Sequence, residues 1–207
     1  MNKQLLFIAL FSLLATNLHA EQSNWSGPYL GIHLGGATAR HNRTNDSNYQ
    51  NSYNSNGGLN LGIQAGYNLQ KENFLFGLEA QLSHLNLSGD DGQMGGTLDG
   101  TKINWSAAIG PKIGYIIKND YLIYGTAGGV IAGLKTTNYS AMEKSEDSRF
   151  GYFVGLGIDY RIKSNWITNV NYSISDLGDN KVDANSVFPF TTQHKYQQLS
   201  LGLSYKF

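Results

Sequence analysis

The most regular feature of the sequence is an alternation of apolar and small polar residues between Gly58 and Leu87. A period of two is typical of β-strands, whose successive side chains point to opposite faces. The polar turn Lys71-Glu72-Asn73 interrupts the alternation, which then restarts, so the pattern predicts a hairpin. The apolar face of this hairpin comprises Leu59, Leu61, Ile63, Ala65, Tyr67 and Leu69 before the turn and Phe74, Phe76, Leu78, Ala80 and Leu82 after it.

The opposite face of the hairpin carries Gly, Asn, Gln and Ser instead of the Lys, Glu and Thr of a solvated sheet. Its members are Asn60, Gly62, Gln64, Gly66, Asn68 and Gln70, then Gly77, Glu79, Gln81 and Ser83. Small polar side chains fit the crowded interior of a narrow barrel, which leaves the apolar face free to meet lipid. The pattern therefore predicts part of a transmembrane β-barrel.

Six further strand-like runs follow the same pattern along the chain. They are Gly27 to Ala37, Lys102 to Ile117, Tyr121 to Leu134, Arg149 to Ile162, Trp166 to Ser175 and Lys195 to Phe207. Short turns at Lys118-Asn119-Asp120 and Lys163-Ser164-Asn165 match the first one. Long polar segments make the other connections and are expected to be loops: Thr38 to Gly57, Ser88 to Thr101, Thr136 to Ser148 and Asp176 to His194.

Two of these runs have a less regular alternation. In the run from Lys102, the frame places Lys102, Asn104, Ser106 and Lys112 inward and Ile103 and Trp105 outward, with an irregularity expected at Pro111 because proline has no amide hydrogen to donate. In the run from Tyr121, Gly and Ala occupy both faces. We favour the frame that turns these side chains outward: Leu122, Tyr124, Val130 and Leu134.

The eight predicted strands form an all-β fold, an eight-stranded antiparallel up-and-down barrel with both termini on the short-turn side. Short turns face the periplasm in outer-membrane barrels, and closure leaves no unpaired strand edge in lipid. Aromatic residues near the strand ends are expected to form interfacial girdles. The principal members are Trp105, Trp166, Tyr115, Tyr160 and Phe207. A barrel of eight strands is narrow enough for side chains to fill.

Composition adds a location and excludes several classes of protein. Met1 to Ala20 has a positive start at Lys3 and a short apolar core, which predicts a signal peptide followed by a barrel domain from Glu21 to Phe207. Equal numbers of basic and acidic residues, 15 of each, argue against nucleic acid as a partner. The chain has no Cys, which excludes disulfides and thiolate metal sites.

Three stretches resemble a known family. Asn24-Trp25-Ser26-Gly27-Pro28-Tyr29-Leu30-Gly31 at the start, Leu201 to Phe207 at the end, and Trp166 through Gly178 between them resemble small outer-membrane β-barrel surface antigens. These are porin-like immunogenic proteins related to the OmpA-type transmembrane domain. That family commonly carries Glu and Arg where this chain has Asn171 and Ser173. The resemblance implies an integral outer-membrane protein with no catalytic residues to carry over.

Charged residues on the inward face are the main candidate site. Glu79, Lys102, Lys112, Asp159 and Arg161 all point into the lumen in these frames, and Glu79 and Lys112 lie at similar heights, so we expect an ion pair between them. Such charges serve either as a structural plug or as a narrow, gated ion path. No pattern predicts a metal, cofactor or catalytic site, although a Ser, His and acid could still converge in space.

The leading hypothesis is therefore a non-enzymatic surface protein of the Gram-negative outer membrane, with envelope-structural and contact roles. A small porin is the alternative, and a lipid-modifying enzyme is the third. The expected partners are outer-membrane lipid and lipopolysaccharide, the outer-membrane assembly machinery, and a host or environmental ligand at the loops. The last strand resembles the recognition signal for outer-membrane insertion, at Leu203, Tyr205 and Phe207.

Overall fold

A computed structural model describes the backbone of residues 24–45, 50–54, 57–90, 99–138, 143–182 and 190–207, and the side chains of 24–40, 57–87, 102–135, 147–178 and 195–207. The predicted signal peptide, Met1 to Ala20, lies outside these ranges. Among the described residues, no helix is long and apolar enough to cross a membrane.

The described residues form nine antiparallel strands. In chain order they are β1 (Gly27–Asn45), β2 (Gln50–Asn54), β3 (Gly58–Lys71), β4 (Phe74–Asp90), β5 (Asp99–Ile117), β6 (Tyr121–Asn138), β7 (Glu143–Lys163), β8 (Trp166–Val182) and β9 (Phe190–Lys206). From β3 to β9, each strand pairs with the next one along the chain. Strand β2 pairs with the end of β1 that lies away from the short turns, and β3 pairs with the rest of β1. Strands β2 and β3 therefore lie end to end and together fill one strand position in the barrel wall.

The sheet closes on itself because β1 also pairs with β9, from Tyr29 opposite Lys206 to Asn45 opposite Phe190. This confirms the predicted eight-stranded antiparallel barrel. The short turns are tight, and Glu72, Lys118 and Asn119 adopt positive φ angles of 55°, 49° and 63°. Both ends of the barrel domain lie on the side of these turns, where the Phe207 amide donates to the Pro28 carbonyl oxygen at 3.0 Å.

Burial alternates along most strands as predicted. In β3, Leu59 is 78% exposed while its neighbour Asn60 is 2% exposed, and this alternation continues to the turn. The exposed set is apolar and the buried set is largely polar, which is the reverse of a soluble protein. The outward apolar faces of β1, β3, β4, β7, β8 and β9 are all confirmed.

The frame at the outer end of β5 is a correction to the prediction. Ile103 pairs with Leu134 and Trp105 pairs with Gly133, so Asn104 is an extra residue in β5 and forms a bulge. A bulge shifts the alternation by one residue. As a result Ile103 is buried at 1% exposure, and Lys102, which we expected in the lumen, has an exposed side chain.

The frame of β6 is also corrected. Leu122, Tyr124, Val130 and Leu134 are all less than 5% exposed, so the outward assignment of these residues was wrong. The outer positions are taken by Tyr121 and Ile123 near the turn and by the small residues Ala127 and Gly129 farther along, while Leu122, Tyr124, Val130 and Leu134 fill space inside the barrel. That space exists because the neighbouring strands β5 and β7 carry inward glycines. A Cβ on Gly157 would lie 2.3 Å from the Tyr124 ring, and one on Gly114 would lie 2.6 Å from Leu122.

Pro111 lies on the outer face as predicted and interrupts the ladder without a bulge. The β5–β6 register passes from Ile109 opposite Gly129 to Lys112 opposite Thr126, with no pairs between them and no shift. The Thr126 hydroxyl donates to the Pro111 carbonyl oxygen at 3.0 Å. A side chain thus replaces part of the ladder.

The strands extend well beyond the limits that alternation predicted. Strand β7 has 21 residues and β5 has 19, whereas about 9–11 tilted residues cross a bilayer core. The predicted loops are therefore largely ladder, since β1 continues to Asn45 and β9 begins at Phe190. Alternation disappears in these extensions because neither face has to meet lipid there, while backbone pairing continues regardless of side-chain polarity.

Candidate functional site

The inside of the barrel is organised around Lys112, a β5 residue that is 1% exposed. Its Nζ lies 2.9 Å from Oδ2 of Asp159 on β7 and 3.3 Å from Oε2 of Glu79 on β4. Alternation brings all three side chains inward, and Glu79 lies two residues from Gly77, which pairs with Lys112 in the β4–β5 ladder. The structure therefore brings Glu79 and Lys112 together and adds Asp159 as a second carboxylate.

Two tyrosines complete what we call the lumen cluster: Glu79, Lys112, Asp159, Tyr29 and Tyr124. The Tyr29 hydroxyl donates to Oε2 of Glu79 at 2.5 Å, while Gln81 donates to Oε1 at 2.8 Å. Lys112 Nζ lies 3.8 Å from the centre of the Tyr124 ring, within cation–π range. Charge-assisted hydrogen bonds of this kind offset the cost of burying the three ionisable groups.

Glycine makes room for both rings. A Cβ on Gly66 would lie 2.5 Å from the Tyr29 hydroxyl oxygen, and one on Gly157 would lie 2.4 Å from the Tyr124 hydroxyl oxygen. Side chains larger than hydrogen at these positions would displace the rings that cover the ammonium group. The inward glycines of β3 and β7 thus allow the lumen cluster to form.

A neutral polar layer lies on the outer side of the lumen cluster. Asn60 donates to Gln198 at 2.9 Å and to Ser200 at 3.0 Å, and His33 Nε2 lies 3.0 Å from the Ser83 hydroxyl oxygen. Beyond it the lumen becomes apolar. The buried side chains of this outer apolar layer include Leu85, Leu87, Ile103, Val130, Leu134, Phe153, Leu177 and Tyr196.

Trp25 closes the periplasmic end of the barrel. Its side chain is fully buried, and its Nε1 donates to the Asn119 carbonyl oxygen at 3.0 Å. The Arg161 guanidinium carbon lies 4.3 Å from the indole centre. Further apolar side chains pack with Trp25 in the same layer: Leu75, Ile116, Leu122, Tyr124 and Ile167.

The predicted site residues are thus only partly brought together. Glu79, Lys112 and Asp159 form one cluster, Arg161 lies nearer the periplasmic end against Trp25, and Lys102 lies outside the lumen. Tyr29, Tyr124 and Trp25 were not identified as lumen residues from the sequence. Alternation could have found Tyr29, because it precedes Gly31 and His33 by two and four positions on the same face.

Aromatic residues ring the outer surface near the periplasmic turns. Tyr121 and Tyr160 lie 4.9 Å apart between ring centres, and Trp166 and Tyr205 lie 5.2 Å apart. Phe207 extends the second pair, and Tyr115 contacts Phe74. Trp105 lies on the outer face at the opposite end. These residues are 37–52% exposed, as expected of side chains at a membrane–water interface.

The chemical capacity of the lumen is limited by burial. His33 and Ser83 form the nearest approach to a nucleophile and base, but they are 3% and 2% exposed, and His33 Nδ1 has no hydrogen-bond partner to orient the ring. In the part of the chain that the structure describes, no group of three or more His, Asp or Glu side chains is arranged to hold a metal ion.

Comparison with known proteins agrees with the architecture. The sequence model of the family described as outer membrane protein beta-barrel domain matches residues 6–207. The 31 kDa outer-membrane immunogenic protein of Brucella melitensis biotype 1 is 29% identical, over 89% of this chain and 84% of its own.

Two solved structures share the fold. The outer membrane protein OprG of Pseudomonas aeruginosa has a TM-score of 0.64 at 17% identity, with 90% of this chain and 99% of that one covered. The outer membrane protease OmpT of Escherichia coli has a TM-score of 0.57 at 12% identity, with 93% and 100% covered.

Proposed function

Because this chain belongs to the outer membrane protein β-barrel domain family and is an integral protein of the outer membrane, we propose that it acts as a closed, non-enzymatic barrel. Its role is to stabilise the envelope and to present the outer ends of its strands and loops to the surroundings. The observation that carries this proposal is the filled lumen. Lys112 is 1% exposed at the centre, and Trp25 is fully buried at the periplasmic end.

Four layers of buried side chains follow one another along the lumen axis. Trp25 and its apolar neighbours are followed by the lumen cluster, then by the Asn60 and His33 layer, and then by the outer apolar layer. A conducting pore needs a wetted path through all four layers, and two of them are apolar. Side-chain filling of this kind is expected for a barrel of eight strands.

The outer ends of the strands support a role in surface contact. Strand β7 is about twice as long as a bilayer crossing requires. The barrel wall itself therefore projects from the membrane on the side away from the short turns. A relative that is 29% identical is named an outer-membrane immunogenic protein, which fits a surface that meets a host. We propose that a host or environmental ligand binds to this projecting part.

Burial also supports a non-enzymatic role, although a protease shares the fold. Hydrolytic sites need a nucleophile and base that a substrate can reach. The Ser83 and His33 pair is enclosed by the wall and by the neighbouring Asn60 layer, and Glu79 is already engaged with Lys112 and Tyr29.

Single-channel conductance of refolded protein in a planar bilayer tests the proposal. We expect no ion-conducting steps from the wild type and none from Trp166→Ala, a matched control that removes a lipid-facing Trp at the same end. Trp25→Ala removes the periplasmic closure but leaves the lumen cluster, so it should also stay closed. Steady conductance in the wild type would contradict a closed barrel.

A narrow ion path is the second candidate, and a specific observation favours it. Asp159 Oδ1 and the Arg161 Nε and Nη2 atoms are buried without hydrogen-bond partners. Such atoms normally have partners, and a path lined with water would supply them. In that case the wild type should conduct, and Glu79→Gln should reduce its preference for cations.

A further inference from the structure

Residues 24–26, which precede β1, turn into the periplasmic mouth instead of extending the barrel wall. We call them the strap. Trp25 at its centre is fully buried, while Asn24 is exposed. Strand β1 begins at Gly27, whose φ of 123° lies in a region that side chains other than glycine rarely adopt. Glycine at this position therefore lets the chain turn from the wall into the mouth.

Hydrogen bonds hold the backbone of the strap on both sides of β1. The Trp25 amide donates to Gln70 Oε1 at 2.8 Å, and the Gln70 amide donates to the Ser26 hydroxyl oxygen at 2.9 Å. Lys206 Nζ donates to the Ser26 carbonyl oxygen at 3.2 Å. Gln70 lies on β3 and Lys206 on β9, and these two strands flank β1 in the closed sheet.

The Trp25 ring is held by the far side of the mouth. Its Nε1 donates to the Asn119 carbonyl oxygen in the turn between β5 and β6, and the Arg161 guanidinium of β7 lies over the indole. Arg161 Nε and Nη2 are buried without hydrogen-bond partners. Burying such donors is unfavourable, so we expect the ring to cover the guanidinium only when its other contacts hold it there.

All of these contacts require a closed barrel. Gln70, Asn119, Arg161 and Lys206 come from four separate parts of the circumference, and they surround one mouth only after β1 has paired with β9. Among the described strand pairings, none includes a residue of the strap. The barrel can therefore close without the strap, whereas the strap cannot dock without the closed barrel.

We propose that the strap is a lock on the closed barrel: it docks after the β1–β9 seam has formed, and it slows the reopening of that seam. Interactions that are absent from the folding transition state slow unfolding and leave the folding rate unchanged. The strap therefore contributes kinetic stability and does not guide assembly. This proposal does not depend on whether the lumen conducts ions.

Folding and unfolding rates of the mature protein in phosphatidylcholine vesicles test the lock, with heat-modifiable migration on gels as the readout. Trp25→Ala should unfold roughly a hundredfold faster or more, because a large buried side chain is lost. Its folding rate should stay within about twofold of the wild type. Gly27→Ala should also unfold faster, because it strains the turn into the mouth. The matched control is Gly36→Ala on the same strand, where an added Cβ meets no atom within 4 Å, and both of its rates should match the wild type.

Free indole separates a specific ring site from a general loss of stability. Indole added to Trp25→Ala should occupy the space of the missing ring, donate to the Asn119 carbonyl oxygen, and slow unfolding in a saturable way. The analogue 1-methylindole lacks the N–H group and should be less effective. Trp166→Ala, which loses a lipid-facing ring at the same end, should not respond to indole.

Three results would each overturn the lock. They are a folding rate of Trp25→Ala that falls as much as its unfolding rate rises, an unfolding rate of Trp25→Ala equal to that of the wild type, and an indole effect that is absent or equally large in Trp166→Ala. Channel conductance does not enter these measurements, so the closed-barrel proposal is tested separately.

Discussion

Lys112 holds the lumen together at the scale of single residues, because its one ammonium group is shared by two carboxylates. Glu79 has Tyr29 and Gln81 as additional partners, whereas Asp159 Oδ1 has none. The three ionised groups carry a net negative charge. Loss of the lysine therefore leaves two buried carboxylates, while loss of Glu79 leaves a balanced pair.

This asymmetry predicts the order of effects in a mutant cycle. Lys112→Met should lower the free energy of unfolding by about 3–5 kcal/mol, because uncompensated charges remain buried. Glu79→Gln should cost less, since Asp159 still pairs with Lys112. Adding Glu79→Gln to Lys112→Met should recover part of the loss. Urea unfolding in lipid vesicles measures all four proteins, with exposed Lys118→Met as the control, for which about 0.5 kcal/mol or less is expected.

Additive effects in this cycle would indicate that water reaches the lumen cluster, and would favour the ion path over the plug.

Individual lumen residues could be predicted where alternation was unbroken. Glu79 and Asp159 were assigned inward because their strands alternate clearly on both sides of them, and Lys112 because the frame holds from Ile113 to Ile117 despite Pro111. Which of these residues contact one another was harder to predict. Asp159 on β7 reaches Lys112 on β5 across β6, and the curvature of the barrel sets the distance between them. Trp25 precedes the first strand, so strand alternation makes no prediction for it. It is buried because its side chain lies inside the periplasmic opening of the barrel.

Strand β9 shows how one element combines several roles. Its outward Leu199, Leu201 and Leu203 face lipid, and its inward Gln198, Ser200 and Ser204 bond with β3. It also closes the barrel against β1. Phe207 follows its last residue, contacts the Tyr205 ring at 5.2 Å, and is anchored by its amide to Pro28.

Deleting Phe207 should lower the fraction of folded, heat-modifiable protein in the outer membrane. The reason is that the deletion removes both the terminal aromatic of the proposed recognition signal and one closing hydrogen bond. Phe74→Ala removes a girdle aromatic at the same end without touching the terminal strand, so it serves as the control. Quantitative gels of unheated membranes give the readout, and unchanged folded levels in the deletion would argue against a role for Phe207 in assembly.

Whole strands were predictable in position and type but not always in frame or length. The alternation of apolar and polar residues in β3, β4, β7, β8 and β9 is regular because lipid requires apolar residues on one face of each strand. The bulge at Asn104 adds a single residue that no local pattern marks. In β6 the frame failed because Gly and Ala satisfy lipid contact and close packing equally well. The outer extensions of the strands were not predicted, because strands surrounded by water do not need apolar residues on one face and so need not alternate.

The molecule as a whole is asymmetric along the membrane normal. Three tight turns and both ends of the barrel domain lie at one end, and strand extensions well beyond the bilayer core lie at the other. Aromatic pairs lie on the outer surface near the turns, where the predicted girdle would meet the membrane interface.

This asymmetry predicts the labelling of single cysteines in intact cells. The chain has no cysteine of its own, so each introduced thiol is unique. Ser148→Cys, exposed on the outer part of β7, should react with an impermeant maleimide. Asn119→Cys and Ser164→Cys, in the short turns, should react only after the outer membrane is permeabilised. Labelling of the turn positions in intact cells would reverse the orientation.

The bond between Trp25 and Asn119 joins opposite walls of the barrel. Trp25 precedes β1, and Asn119 lies in the turn between β5 and β6, on the far side of the closed sheet. Lys112 links β5 to β7 at a second level. In mechanical terms the bond from Trp25 to Asn119 is a strut across a tube. A tube braced in this way resists flattening under the lateral pressure of the surrounding lipid, so its cross-section stays round.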